Sequence, residues 1–453
     1  MKTRLINVFD SHKLLIFFTP FLIYMLNGRE ISSGDPTPTV FVSINALKKG
    51  TIFLDDLHDY IAYHGLPYYV SEQKGHLVSN YPIFPGIMAV PIFAPFVWLI
   101  DKGEGDLVWK YVSKLSGATY TSLAVLILYL TLRRLIQKEG ALVLAGAYAL
   151  GTALWPIASQ SLWQHGPGVF WWSVCFYYLI RFAEDCGCNH TPSQDSQRSF
   201  TRYLFYAGAA AGFATLCRTV NGIGAVALSL ALLCHYPRRS WSFIAPAVFL
   251  TASLIAYNVL IFDSWKGGDV VLHSLHWELD RVEGGSWSTP LWVGFPGQLI
   301  SPSRGLLIFS PFLIFALWGM VAIWKKADVR WRMIAWTIPI PIIMLLVFGK
   351  YAVWWGGNSH YGPRYQIEAY PFLMLYLAAV WPQIRNSRTW MTLFLVLLCF
   401  SVFTQWVGAF CYPGGWAVEP TALSVDKGRL WDWSYNQILT CLRSGIKWPY
   451  LLL

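Results

Sequence analysis

Residues 83–100 read Ile83-Phe84-Pro85-Gly86-Ile87-Met88-Ala89-Val90-Pro91-Ile92-Phe93-Ala94-Pro95-Phe96-Val97-Trp98-Leu99-Ile100. No charge interrupts the run, and at 1.5 Å per helical residue it nearly matches the thickness of a bilayer's hydrocarbon core. Yet Pro85, Pro91 and Pro95, with Pro82 just before and Gly86 inside, take away backbone donors and helix propensity that lipid cannot replace. Charge placement decides what the segment does. Basic residues punctuate the chain in short loops: Arg133/Arg134/Lys138, Arg198/Arg202, Arg238/Arg239, Lys325/Lys326/Arg330/Arg332 and Arg385/Arg388. Neighbouring clusters enclose two apolar runs, so all of them fall on one side, which the positive-inside rule makes cytoplasmic. Lys2, Arg4 and Lys13 put the N-terminus there too. An even number of crossings must then separate the N-terminus from Arg133, whereas three apolar runs lie between them. The proline-rich run is the one that does not cross, and is expected as a juxtamembrane or re-entrant segment on the outer face.

The remaining runs give an all-α polytopic membrane protein with about eleven transmembrane helices. They lie near 13–28, 112–132, 141–158, 166–182, 203–217, 220–235, 241–262, 305–324, 333–349, 365–382 and 390–410. The N-terminus is inside and the C-terminus outside. Residues 1–410 read as one membrane domain, with large outer segments at 29–111 and 263–304 and a short outer tail at 411–453. Composition agrees: 55% of residues are hydrophobic, 17% aromatic and only 13% charged, about half the charge of an average soluble domain. The net charge of +10 sits in the cytoplasmic loops, so it reports topology and not a nucleic-acid partner. Among the cysteines, Cys411 and Cys441 share the outer tail and are expected to pair if that compartment is oxidising. The sequon Asn189-His190-Thr191 falls in a cytoplasmic loop, which fits a bacterial cytoplasmic membrane.

Chemistry-bearing residues gather on the outer side. The first outer segment opens Ser33-Gly34-Asp35-Pro36, where a Gly/Pro-stiffened turn holds a carboxylate close to the interface. There Asp35 is the candidate general base toward a hydroxyl. Asp55 and Asp56 are reserve carboxylates, either solvating a surface helix or holding a divalent cation through oxygen ligands. A hairpin is expected around Lys74-Gly75. Arg218, Arg304 and Arg364 stand at outer helix ends, where guanidinium, free N–H groups and helix dipole suit an anion such as phosphate. Only Arg364, four residues before Glu368, has an evident carboxylate partner. His165, Trp354 and Trp355 belong to aromatic stretches on the same face, whose flat rings suit sugar stacking. His273, His276 and Glu278 form a weaker candidate metal set.

Together these features resemble the GT-C superfamily of integral-membrane glycosyltransferases, and within it bacterial enzymes akin to protein O-mannosyltransferases and the lipid A aminoarabinose transferase. The resemblance rests on Gly34-Asp35 beyond the first span, Tyr81-Pro82 with Pro85-Gly86, and Trp354-Trp355-Gly356-Gly357 running to Gly362-Pro363-Arg364-Tyr365. Leu430-Trp431-Asp432-Trp433 adds to it. It implies an inverting transfer of a sugar from a polyprenyl-phosphate or pyrophosphate donor to a glycan, lipid or protein acceptor at the outer face. Asp35 would activate the acceptor, and Arg218, Arg304 and Arg364 would neutralise the phosphate. Tyr81, His165, Trp354, Trp355 and Tyr365 would line the substrate. Many relatives pair two acidic residues where Asp35 is followed by Pro36, so the resemblance implies no definite cofactor and leaves a divalent metal open. A lipid-linked-glycan flippase is the main reading from another class, and an O-antigen polymerase or ligase the other enzyme. A transporter keeps its polar groups near the bilayer midplane, whereas here they cluster at the outer ends of the spans.

Overall fold

The computed structural model describes residues 11–100, 107–188, 194–272, 274 and 285–447. Helix α1 (Ser11–Met25) leads into an irregular segment and α2 (Thr37–Lys49). Then come α3 (His58–His64), a hairpin of β1 (Val70–Gln73) and β2 (His76–Ser79), and α4 (Phe84–Phe93). The bundle continues through α5 (Leu107–Leu132), α6 (Lys138–Leu150), α7 (His165–Cys188), α8 (Gln194–Cys217), α9 (Gly222–His235) and α10 (Trp241–Phe262). Its second half contains α11 (Leu291–Ile300), α12 (Leu306–Phe309), α13 (Ile314–Ala322), α14 (Val329–Ala335) and α15 (Pro339–Lys350). It closes with α16 (Tyr370–Asn386), α17 (Arg388–Cys411) and α18 (Gln437–Arg443). Among the described residues, four stretches are long and apolar enough to cross a membrane by length and composition: Leu107–Leu132, Trp241–Phe262, Val329–Lys350 and Arg388–Cys411. The protein is a helical polytopic membrane protein with one two-stranded hairpin; those four stretches correspond to the expected spans near 112–132, 241–262, 333–349 and 390–410, and some expected spans are broken. Residues 305–324 divide at Ser310–Pro311, and 333–349 divides before Pro339.

Burial separates the lining helices from the central one. Only 17% of the most apolar window of α10 is buried, leaving Val248, Phe249 and Leu260 exposed as a lipid-facing surface would be. Helix α16 is the opposite case: residues 370–381 are buried without interruption. Helices reach one another through small residues. A Cβ on Gly208 of α8 would meet the Phe243 carbonyl of α10 at 2.0 Å, and one on Gly319 of α13 would meet that of Tyr376 in α16 at 1.9 Å. Without a hydrophobic drive between helices in lipid, such close backbone contact is what dispersion attraction needs.

The described part of the first long connection, residues 29–100, contains a compact apolar unit, with Val40, Phe41, Leu54, Leu57, Val70, Leu77, Ala89 and Phe93 in one buried cluster. The proline-rich run supplies α4 and a 3-10 turn at Val97–Leu99. At ten residues α4 is about 15 Å long, half a bilayer core. The hairpin forms where expected: Gln73 pairs with His76, and Lys74 and Gly75 take φ of 52° and 82°. Consecutive positive φ values give the turn a twist matching that of the strands. The tail does not stand apart. Trp416, Leu423 and Leu430 pack on Val353, Trp354 and Trp355, and Ile438 and Cys441 pack on Ile31, Phe309 and Tyr361. Cys411 and Cys441 do meet in one buried cluster, but as free thiols and not as the expected disulfide. The Asn189 sequon and the His273/His276/Glu278 set lie outside the described residues.

Candidate active site

The backbone that carries Asp35 is tied to the bundle by a buried polar network. Asn27 donates to Gln160 Oε1 at 2.7 Å and to the Ala409 carbonyl at 2.8 Å. Lys114 donates to Gln160 Oε1 at 2.7 Å, and Glu30 accepts from Ser113 and Ser161 at 2.8 and 2.7 Å. Buried polar groups survive only when so satisfied, and here they fix an otherwise irregular strand. Gly34 follows because a Cβ there would lie 2.7 Å from both the Tyr68 hydroxyl and the Tyr69 ring. The next residue, at the head of α2, brings its carboxylate to the Tyr68 hydroxyl.

Asp35 is 7% exposed. Its Oδ1 accepts from the Tyr68 hydroxyl at 2.6 Å, its carboxylate accepts from the Tyr81 hydroxyl, and its Oδ2 pairs with Arg364. Burial works to raise its pKa, but the Arg364 charge and the two tyrosine hydrogen bonds outweigh burial and hold it below the ordinary carboxylate value. Arg364 also donates from Nε to His165 Nε2 at 3.4 Å and from Nη1 to the Gly356 carbonyl at 3.3 Å, and it lies 4.7 Å over the Trp163 ring. With Nε2 accepting, Nδ1–H of His165 donates to Glu368 Oε1 at 2.8 Å. The other oxygen of Glu368 takes Arg218 Nη1 at 2.5 Å, and the Arg218 guanidinium covers Phe348 and Tyr365 at 5.0 and 5.4 Å. Acid, base, imidazole, acid and base thus alternate along one buried chain drawn from α2's entry, the α15–α16 connection, the start of α7, the start of α16 and the α8–α9 turn. Asp35, Pro36, Trp163, Gln164, His165 and Arg364 line a small cavity at its head.

Of the residues singled out by sequence, Asp35, Tyr81, His165, Arg218, Arg364 and Tyr365 converge. Two pairings differ from expectation: Glu368 serves Arg218 and His165, leaving Arg364 to Asp35. Trp354 and Trp355 turn away from the cavity into the core shared with the tail, where Trp354 covers Gly297 and approaches Trp431 at 6.5 Å. They are not among the residues that line the cavity. Arg304 also departs: it is 2% exposed and bonds Gln437, whose amide reaches the His360 carbonyl at 2.8 Å. Asp55 and Asp56 do not converge on a cation. Asp55 takes His76 Nδ1 at 2.9 Å and the Leu77 N–H at 2.8 Å, and Asp56 pairs with Lys49. Among the described residues no group of three His, Cys, Asp or Glu side chains is placed to hold a metal ion. Trp163 belongs to the same aromatic stretch as His165, which the sequence marks. Tyr68 lies in a stretch that reads only as a hairpin, and nothing local marks Gln437.

Residues 112–265 match the family model described as dolichyl-phosphate-mannose-protein mannosyltransferase, a stretch from α5 to just past α10 that includes His165 and Arg218. No curated protein matches the sequence. Among solved structures, the Archaeoglobus fulgidus oligosaccharyltransferase AglB in complex with an inhibitory peptide and a dolichol-phosphate aligns over 88% of this chain and 55% of its own, at TM-score 0.51 and 12% identity. The same enzyme tethered to an acceptor peptide containing the NVT sequon aligns over 93% and 59%, at TM-score 0.53 and 14% identity. ArnT from Cupriavidus metallidurans in the apo state aligns over 85% and 61%, at TM-score 0.46 and 15% identity. The chain spans less than two thirds of the length of each of these proteins. At such identities the likeness to the archaeal enzyme is one of fold. The chain resembles the GT-C superfamily of integral-membrane glycosyltransferases, as its motifs implied.

Proposed function

We propose that this GT-C-like chain is an inverting glycosyltransferase that takes a sugar from a polyprenyl-phosphate or pyrophosphate donor. The acceptor is a glycan, lipid or protein hydroxyl at the outer face of a bacterial cytoplasmic membrane. The observation that carries the reading is the buried Asp35–Arg364 pair, joined across 329 positions of sequence and extended by His165, Glu368 and Arg218. A buried ion pair of this kind is poor stabilisation for its desolvation cost, which points to chemistry as the reason for it.

Each residue then has a task. In the resting site Asp35 is ionised but held by three donors, which makes it a weak base. A donor phosphate arriving beside Arg364 competes for the guanidinium and loosens its grip on Asp35, so the carboxylate becomes more basic when substrate is bound. The acceptor oxygen attacks the anomeric carbon, its proton passes to Asp35, and the bond from that carbon to the phosphate oxygen breaks. Arg364 and Arg218 take up the charge on the departing phosphate in a dry, preorganised setting. His165 keeps Arg364 oriented by accepting from Nε, while Trp163 and Tyr365 offer ring faces to guanidinium and sugar. The likeness of fold to a protein seen with a dolichol-phosphate supports the donor class.

The test is transfer itself. Protein reconstituted in vesicles and given a panel of labelled polyprenyl-phosphate sugars should release the lipid phosphate and give a product of inverted anomeric configuration. A retained configuration across the panel would contradict the mechanism, and lipid movement without any bond cleavage would favour a flippase.

A further inference from the structure

Among the described residues the three outer arginines are not equivalent. Arg364 and Arg218 each have a carboxylate, whereas no described carboxylate lies within ion-pair distance of Arg304. Arg304 is nonetheless the most enclosed of the three. Burial pushes its pKa down to about 10, with the nearby Arg364 and Arg429 adding to the effect, so it is still a cation at neutral pH. Nη1 reaches the Ser303 carbonyl at 3.3 Å and Gln437 Oε1, while Nε and Nη2 have no hydrogen-bond partner among the described residues. Other donors around it are equally unspent: the Ser303 hydroxyl, the Tyr412 hydroxyl and the Trp416 indole N–H. The Trp416 ring lies 5.2 Å from Arg304 and 5.1 Å from Arg429, a second buried guanidinium, whose bonds go only to the carbonyls of Thr421, Trp416 and Glu419. His360 is close enough to both Arg304 and Arg364 that burial and their charges keep it neutral.

An unneutralised buried charge costs far more than an unmade hydrogen bond, and native sites pair it or give it a counter-ion. Water could satisfy the N–H groups but not the charge. The groups left without a partner around Arg304 are mostly donors: two guanidinium N–H sites, two hydroxyls and an indole N–H, with the neutral His360 ring beside them. A tetrahedral oxyanion complements such a set. Gln437 bridges this pocket to the reacting centre, since its Oε1 also accepts the Gly362 N–H at 2.7 Å, two residues before Arg364.

We propose that Arg304, with Ser303, Tyr412 and Trp416, forms a second oxyanion subsite that takes a phosphoryl group distinct from the one held by Arg364 and Arg218. This rests on those two arginines holding the reacting phosphate. The phosphoryl group comes either from the distal phosphate of a diphosphate-linked donor or from free phosphate seated beneath the tail.

The experiment compares binding of a polyprenyl monophosphate, a polyprenyl diphosphate and inorganic phosphate to the full chain in detergent, with chloride at matched ionic strength as reference. Wild type is compared with Arg304→Gln, Arg304→Lys and Trp416→Phe. If the distal phosphate is the source, wild type prefers the diphosphate lipid, Arg304→Gln loses that preference by about 10- to 100-fold, and Arg304→Lys keeps part of it. If free phosphate is the source, inorganic phosphate raises the melting temperature of wild type but not of Arg304→Gln, and the two lipids bind alike. Should Arg304→Gln fail to fold, Trp416→Phe keeps the ring, removes one donor and must reduce the same preference or shift. Wild-type behaviour toward all three probes in the Arg304 and Trp416 variants overturns the subsite. If Arg364→Gln loses the monophosphate lipid in the same assay, the donor reading survives that failure. If it does not, the donor reading fails separately.

Discussion

Asp35 and Tyr68 show how finely a single contact sets the chemistry. The Tyr68 hydroxyl bonds the ionised carboxylate at 2.6 Å and so favours the charged form. Tyr68→Phe removes that bond, which must move the Asp35 pKa upward. In the acid limb of a kcat/KM profile, Tyr68→Phe is therefore expected to titrate at higher pH than wild type; an unmoved limb would mean that Asp35 is not the group observed. Stability follows the same linkage. The folded pKa of Asp35 lies below its ordinary 3.8, so the pair with Arg364 contributes fully at neutral pH and is lost as pH falls from about 4 through the folded value. Melting curves should show wild type and Asp35→Asn converging below that point and separating above it. Arg218 and Glu368 make a comparable case. Arg218→Gln leaves the buried Glu368 carboxylate without its cation, held by His165 alone, and should cost about 3–5 kcal/mol, while the double variant Arg218→Gln/Glu368→Gln should recover much of that stability without recovering donor binding.

At the scale of elements, what could be read from sequence is what local chemistry specifies. Lys74-Gly75 announces a two-residue turn whatever surrounds it. Four prolines deny 83–100 a lipid-exposed helix. Gly34-Asp35-Pro36 marks a rigid turn, and an arginine at a helix end is visible as such. Partners chosen by tertiary packing are not visible in this way. The spacing of Arg364 and Glu368 suits a pair on one helix turn, but the chain enters α16 through a 3-10 turn at Ile367–Ala369 that sends Glu368 to His165 and Arg218. Trp354-Trp355 looks like a sugar platform until the tail is seen to pack on it. Contact between α2 and α4 gives a direct test of how the first connecting unit holds the site. A Cβ on Gly86 would meet the Thr39 carbonyl at 2.4 Å, and Ser43 donates to the Gly86 carbonyl at 2.8 Å. Gly86→Ala should cost about 1–3 kcal/mol by overpacking and lower turnover by shifting α2, which Asp35 precedes. Unchanged melting and turnover would show that α2 can shift freely.

The whole molecule is a bundle that brings a carboxylate from its first connecting segment to an arginine from its last third, with a tail folded over the adjoining loop. The segment 83–100 should stay on the outer face, and Trp98 and Leu99 are 78% and 69% exposed there. Trp98→Cys, in a background lacking the exposed Cys234 and Cys399, should react with an impermeant thiol reagent from outside intact cells. Labelling only after permeabilisation would mean that the run crosses. The most direct test of the central claim is Asp35→Asn in reconstituted vesicles, with donor binding and sugar transfer measured separately. The variant keeps the shape of the side chain, removes its basicity and frees Arg364 for phosphate, so donor should bind at least as tightly while turnover falls by about 10²- to 10⁴-fold. Near-normal transfer by Asp35→Asn would contradict the account.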